Sequence, residues 1–220
     1  MNTRPVDARV ERVVPTRRGG LGQAALPLLC CVWALLALCA HADSCCASKP
    51  APASEEEALP LDSVYQLEST WTNSTGAARP MGDLRGPHRI VVMFYASCTY
   101  ACPMLVADLK KIEARLPAKP GVVFTLFSFD DERDTPAALA AFAERQGIGA
   151  PGWELLTGPR EAAREMAAVL GVRYRKESGG AIAHSNEISL LDGEGRIVAR
   201  LKGLNEDPQP ILEALARSDD

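Results

Sequence analysis

Two stretches of buried-strand character, separated by one helix, constrain this chain more than anything else in it. Ile90-Val91-Val92-Met93-Phe94-Tyr95 and Val122-Val123-Phe124-Thr125-Leu126-Phe127 are largely apolar and lack a period-two alternation. Strands of that kind lie inside a sheet covered on both faces. Between them Leu105, Leu109, Ile112 and Leu116 recur at helical spacing, and Pro117 stops the helix. Strand, helix, strand is a βαβ unit, which yields a parallel pair joined by a right-handed crossover.

The punctuation further along is equally readable. Thr135 caps a helix that has Pro136 in its first turn and Gly147 after its last. Another helix starts near Pro159, turns Met166 and Leu170 inward, and ends at Gly171. Ile188 to Leu191 and Arg196 to Leu201 flank Asp192-Gly193-Glu194-Gly195, a hairpin signal, and Asp207-Pro208 opens a last helix through Ile211, Leu212 and Leu215. Nearer the front, Val64 to Thr70 and the turn Asn73-Ser74-Thr75-Gly76 predict a small N-terminal β-hairpin. The expected fold class is α/β, a central mixed sheet flanked by helices. A βαβ followed by ββα, with cysteines just after the first central strand, is the plan of a thioredoxin-like fold.

Ahead of this domain lies a segment of a different kind. Residues 1–20 hold five arginines and two acids, Leu21 to Ala40 is uncharged, and Ala40-His41-Ala42 suits a signal-peptide cleavage site. Residues 1–42 are therefore expected to act as a signal peptide or an N-terminal membrane anchor, and 43–60, which include Cys45-Cys46 and Glu55-Glu56-Glu57, as a flexible linker. The domain proper is expected over residues 61–220. This reading makes the protein periplasmic or otherwise extracytoplasmic, touching a membrane only through its N-terminal segment. The chain has 24 basic and 28 acidic residues. That balance lacks the basic face a nucleic-acid binder needs.

Of seven cysteines, the pair within the predicted domain is Cys98 and Cys102, in Cys98-Thr99-Tyr100-Ala101-Cys102-Pro103. It falls between the end of a buried strand and the start of a helix, where open α/β sheets build their sites and where the helix N-terminus stabilises thiolates. Spacing alone suits a structural disulfide, a redox pair or half of a metal site. His184, in Ala183-His184-Ser185-Asn186, precedes a strand at the place where disulfide oxidoreductases keep a proline. No proline occurs between Pro159 and Pro208. Two thiols and an imidazole are soft and borderline donors that suit copper, above all Cu(I), and leave zinc one ligand short of its structural four. A peroxidase of peroxiredoxin type is disfavoured, because Tyr95 stands where that chemistry needs threonine.

Three stretches together resemble the Sco/SenC family: Phe94-Tyr95-Ala96-Ser97-Cys98 to Pro103; Ser128-Phe129-Asp130-Asp131-Glu132-Arg133-Asp134-Thr135-Pro136; and Gly171-Val172-Arg173-Tyr174 followed by His184-Ser185-Asn186. The resemblance spans most of residues 64–204. It implies a thioredoxin-like copper metallochaperone that helps assemble the binuclear copper centre of cytochrome c oxidase. Cys98, Cys102 and His184 match the metal ligands, for Cu(I) and for Cu(II) as a second state. The implied partners are the copper-receiving oxidase subunit or another cuproprotein, and a thiol reductant protein. If the chain is instead a thiol–disulfide reductase, Cys98 and Cys102 are its redox pair. Asp130 and Asp134 are candidates for a supporting role, orienting His184 or attracting the cation. Thr99 and Asp131 stand where the family usually has proline.

Overall fold

A computed structural model describes residues 58–116 and 121–218. The expected signal segment, Cys45-Cys46 and most of the expected linker lie outside the described residues. The first apolar run becomes β3 (His88–Phe94), which follows a hairpin of β1 (Thr70–Asn73) and β2 (Ala78–Pro80). Helix α1 (Ala101–Glu113) leads to β4 (Val122–Ser128), and α2 (Pro136–Gln146) leads to β5 (Trp153–Thr157). After α3 (Arg160–Leu170) come two antiparallel pairs, β6 (Tyr174–Lys176) with β7 (Ile182–His184) and β8 (Glu187–Leu191) with β9 (Ile197–Lys202). Helix α4 (Gln209–Ser218) closes the described chain.

Seven strands form one mixed sheet in the order β2-β1-β5-β4-β3-β8-β9. β3, β4 and β5 run parallel, while β8 pairs antiparallel to β3. The two runs that constrained the sequence thus occupy the sheet's middle. Ile90, Val92, Leu126 and Leu190 there are wholly buried. The α1 stripe packs as its spacing predicts, with Leu105, Leu109 and Ile112 at most 1% exposed. That helix ends at Glu113, so Leu116 packs from the turn beyond it.

Local signals set the other boundaries. The Thr135 hydroxyl accepts the Ala138 N–H, a cap worth about 1 kcal/mol. Gly147 and Gly171 end α2 and α3 in left-handed geometry. The Asn73 side-chain oxygen accepts the N–H groups of Thr75 and Ala77, which closes the predicted front turn.

One expectation needs correcting. Val64–Gln66 is a 3-10 turn and not strand, because the Ser63 hydroxyl caps it and Val64 and Tyr65 turn into the core; the hairpin strand starts at Thr70. Two further elements, β5 and the β6–β7 hairpin, were not foreseen. β5 conceals itself with a charge: Glu154 pairs with Arg79 at 2.6 Å and with the buried Arg89 at 3.1 Å. A buried guanidinium needs such partners.

Candidate metal centre

The β3–α1 connection brings the thiols together. Cys98 precedes the helix and Cys102 lies in its first turn, so the pair straddles the N-terminus. No side chain of the capping residue Tyr100 serves the helix start. Instead the Cys98 sulfur accepts the Cys102 N–H at 3.3 Å, satisfying one of the donors that every helix N-terminus leaves over. Cys102 is wholly buried, whereas Cys98 is half-buried at the surface of the core.

These surroundings split the two thiols. A hydrogen bond from the Cys102 thiol, helped by the N–H groups of Cys102 and Tyr100 and the nearby Tyr95 hydroxyl, lowers Cys98 to about 4 against the cost of burial. Cys102 moves the other way: its proton is held by the bond to Cys98 and by burial, so its pKa is raised. Cys98 is the thiolate of the pair and Cys102 the proton carrier.

His184 arrives from the far side, at the end of β7. Its Nε2 lies 3.9 Å from the Cys102 sulfur, and its Nδ1 lies 3.1 Å from the Ser185 carbonyl oxygen. A carbonyl only accepts, so Nδ1 carries the hydrogen in that contact, and in the neutral ring this leaves the Nε2 lone pair facing the sulfur. The ring packs against Phe129 with centroids 5.1 Å apart and edge-on to Tyr95 at 6.0 Å. One ligand atom each from Cys98, Cys102 and His184 fall within 4.8 Å of one another. A groove of about 390 Å³ lined by Arg173, Tyr174, Arg175, Ala183, His184 and Ser185 opens beside the imidazole. Tyr100, between the cysteines, is 73% exposed.

The two aspartates do not hydrogen-bond His184. Asp134 accepts from the Ala96 N–H at 2.9 Å and from the Ser128 hydroxyl at 2.5 Å, and burial pushes its carboxyl up. Asp130 is wholly buried and takes Arg133 Nε at 2.5 Å. The charge of Asp134 is among the influences that raise Cys102. Sequence reasoning passed over Arg133, which reaches from Asp130 to the Gly180 carbonyl in the His184 hairpin. Arginine beside an acid three residues earlier reads as an ordinary surface pair, and nothing in the linear pattern marks its second bond.

A parallel-centred α/β sheet with a thiol pair at the first central strand's carboxyl end, faced by an imidazole, defines a thioredoxin-like domain with a Cys2His donor set. The sequence matches the SCO1/SenC family over residues 58–218, and the chain belongs to that family. A SCO1 protein homolog from Bacillus subtilis is 24% identical over 149 residues, covering 66% of this chain and 77% of the relative. The structure of a SCO1/SenC family lipoprotein from Bacillus anthracis is 26% identical with a TM-score of 0.61, covering 70% of this chain and 95% of that one. Arabidopsis thaliana ScoI with copper bound shares the fold at 22% identity and a TM-score of 0.58, covering 69% and 95%.

Proposed function

We propose that this protein is an extracytoplasmic copper metallochaperone that holds its cargo through Cys98, Cys102 and His184. The observation that carries the reading is the convergence of two sulfurs and one imidazole nitrogen within 4.8 Å, from two separate parts of the chain. A donor set of that softness and number suits Cu(I) better than zinc or a hard cation. The copper in the Arabidopsis relative and the lipoprotein relative from Bacillus anthracis support the metal and the compartment in turn. The recipient in this reading is a cuproprotein whose own cysteines take the ion by ligand exchange, with the binuclear copper centre of cytochrome c oxidase as the expected case. The groove beside His184 leaves the imidazole open to such a partner.

Native mass spectrometry of the reduced protein, with copper at rising ratios, tests this. One copper per chain, lost in Cys102→Ser, is the expected result; no retained copper would end the proposal.

A second reading draws on the split thiols. Cys98, as thiolate, would attack one sulfur of a partner's disulfide, breaking that bond and forming a mixed disulfide while the partner's other sulfur leaves as thiolate. Cys102, once deprotonated, would then attack the Cys98 sulfur and release the partner as a dithiol. The partner gains two electrons and this chain is left as the Cys98–Cys102 disulfide, to be reduced by a thiol reductant protein. Turnover of a disulfide substrate that survives His184→Ala would favour this reading.

A further inference from the structure

Of the three donors, His184 has the least scaffold. Both cysteines follow the central strand β3, but His184 ends a two-stranded sheet separate from the main seven. The hairpin register, Tyr174 opposite His184 and Lys176 opposite Ile182, gives one face to those four side chains and the other to Arg175 and Ala183.

Besides Tyr95 and Cys102, which meet His184 from the thiol side, one short segment, Phe129 to Arg133, supplies several of the contacts that hold this hairpin. The Phe129 ring packs on Tyr174 at 4.8 Å and on His184 at 5.1 Å. Lys176 Nζ lies 3.4 Å from Asp131 and 3.1 Å from Glu132. Arg133 donates through Nε to Asp130 and through Nη2 to the Gly180 carbonyl, both at 2.5 Å. Its guanidinium lies so close over the turn that a Cβ on Gly180, where φ is +84°, would stand 2.8 Å from Nη1. Asp134, next in the chain, grips the Ala96 N–H two residues before Cys98. One segment thus touches both the thiol loop and the imidazole hairpin.

We infer that residues 129–134 are a brace fixing the distance between His184 and the thiols, and that Arg133, anchored on Asp130 and bonded to the Gly180 carbonyl, is the positioning residue at its centre. The inference rests on the copper reading and deepens it. Groups that orient metal ligands without touching the metal commonly change affinity 10–100-fold. Asp130 offers its second carboxylate oxygen no hydrogen-bond partner, so Arg133 is its compensating charge. Removing the arginine alone would strand a buried carboxylate and threaten folding for unrelated reasons.

The test therefore uses Asp130→Asn/Arg133→Met, which removes both charges together, beside Arg133→Lys and the parent. Cu(I) affinity is measured by chelator competition. Amide exchange is measured on the reduced, metal-free protein, following the hairpin bonds Glu177 N–H to Ala181 and Ser185 N–H to Arg173 against amides of β3 and β4. The double variant is expected to bind Cu(I) about tenfold or more weakly. Its exchange should accelerate in residues 174–185 alone, with Cys98 and Cys102 still forming their disulfide. Arg133→Lys, which keeps the charge but not the two-ended reach, should fall between. Unchanged affinity and hairpin exchange would overturn the inference, as would acceleration spread through β3 and β4. If the parent itself holds no copper, the copper reading fails, and the exchange comparison still decides the brace.

Discussion

The two halves of the metal centre are built by opposite means. The thiols sit where a buried central strand of the sheet meets a helix N-terminus, and Cys102 is part of the hydrophobic core. The imidazole sits on a two-stranded hairpin with an open groove beside it. Here two donors are fixed by the fold and the third is fixed by side chains, as the proposed delivery of the ion to a partner would require. The two thiols also part in their protonation, since Cys98 is lowered and Cys102 raised by each other.

The comparison breaks most sharply at Cys102. Cys102→Ser is expected to abolish Cu(I) binding, because a hydroxyl is too hard a donor for that ion. It should also cost about 1–3 kcal/mol of stability if the hydroxyl finds no partner in a wholly buried position. Native mass spectrometry and denaturant unfolding measure the two effects. Persistence of one copper per chain would mean that the buried thiol is a core residue and not a ligand.

His184→Ala should do less. The thiols remain, so copper should still bind but about 100-fold more weakly, roughly 2.7 kcal/mol, with disulfide formation between Cys98 and Cys102 intact. Chelator competition reads the first and thiol titration the second. A loss as complete as that of Cys102→Ser would show that the two halves act as one unit.

What the sequence disclosed follows the same division. The thiol half was legible because it hangs on long, strong signals: two apolar strands, a helical stripe and Pro117 place Cys98 and Cys102 within a residue or two. The imidazole half was legible as a residue but not as a structure. His184 was recognised from its company, yet Tyr174–Lys176 and Ile182–His184 are three-residue strands, too short for any periodicity to show. β5 stayed hidden for a related reason. Its five residues include Glu154, whose two arginine partners come from β2 and β3 and cannot be foreseen along the chain. Asp130 and Asp134 are legible as acids near the site, but the groups they hydrogen-bond are not, and His184 is not among them. Carboxylate direction depends on a tertiary partner, here Arg133 for one and the Ala96 backbone for the other.

Acid should separate the thiols without touching the fold's core. Cys98 is lowered to about 4, so it stays a thiolate from pH 8 down to about pH 5, while Cys102 stays protonated throughout. Iodoacetamide at pH 6 should therefore label Cys98 in the reduced protein and spare Cys102, read by mass spectrometry of the digested chain. The stability sign follows: a thiol lowered on folding contributes stability above its unfolded value of about 8.5, and that contribution fades as pH falls toward 4. Unfolding midpoints of the parent should thus drop between pH 8 and pH 4.5 by more than those of Cys98→Ser. Equal labelling of both cysteines at pH 6 would remove the split on which the reductase reading depends.

The smallest effect belongs to Met104, two residues beyond Cys102 and half-buried in α1. A thioether is a soft donor, and a methionine this close to the thiols is the natural suspect for a fourth ligand. The proposed donor set is complete without it: Cys98, Cys102 and His184 already converge within 4.8 Å, and Met104 is expected to serve as packing on α1. Met104→Leu conserves volume and should cost under about 1.5 kcal/mol, with copper stoichiometry and Cu(I) affinity unchanged. A large fall in affinity on that substitution would make the site one of four donors, three of them sulfur. The hairpin would then contribute far less than its position implies, and the contrast between a fixed thiol half and a braced imidazole half would have to be redrawn around α1.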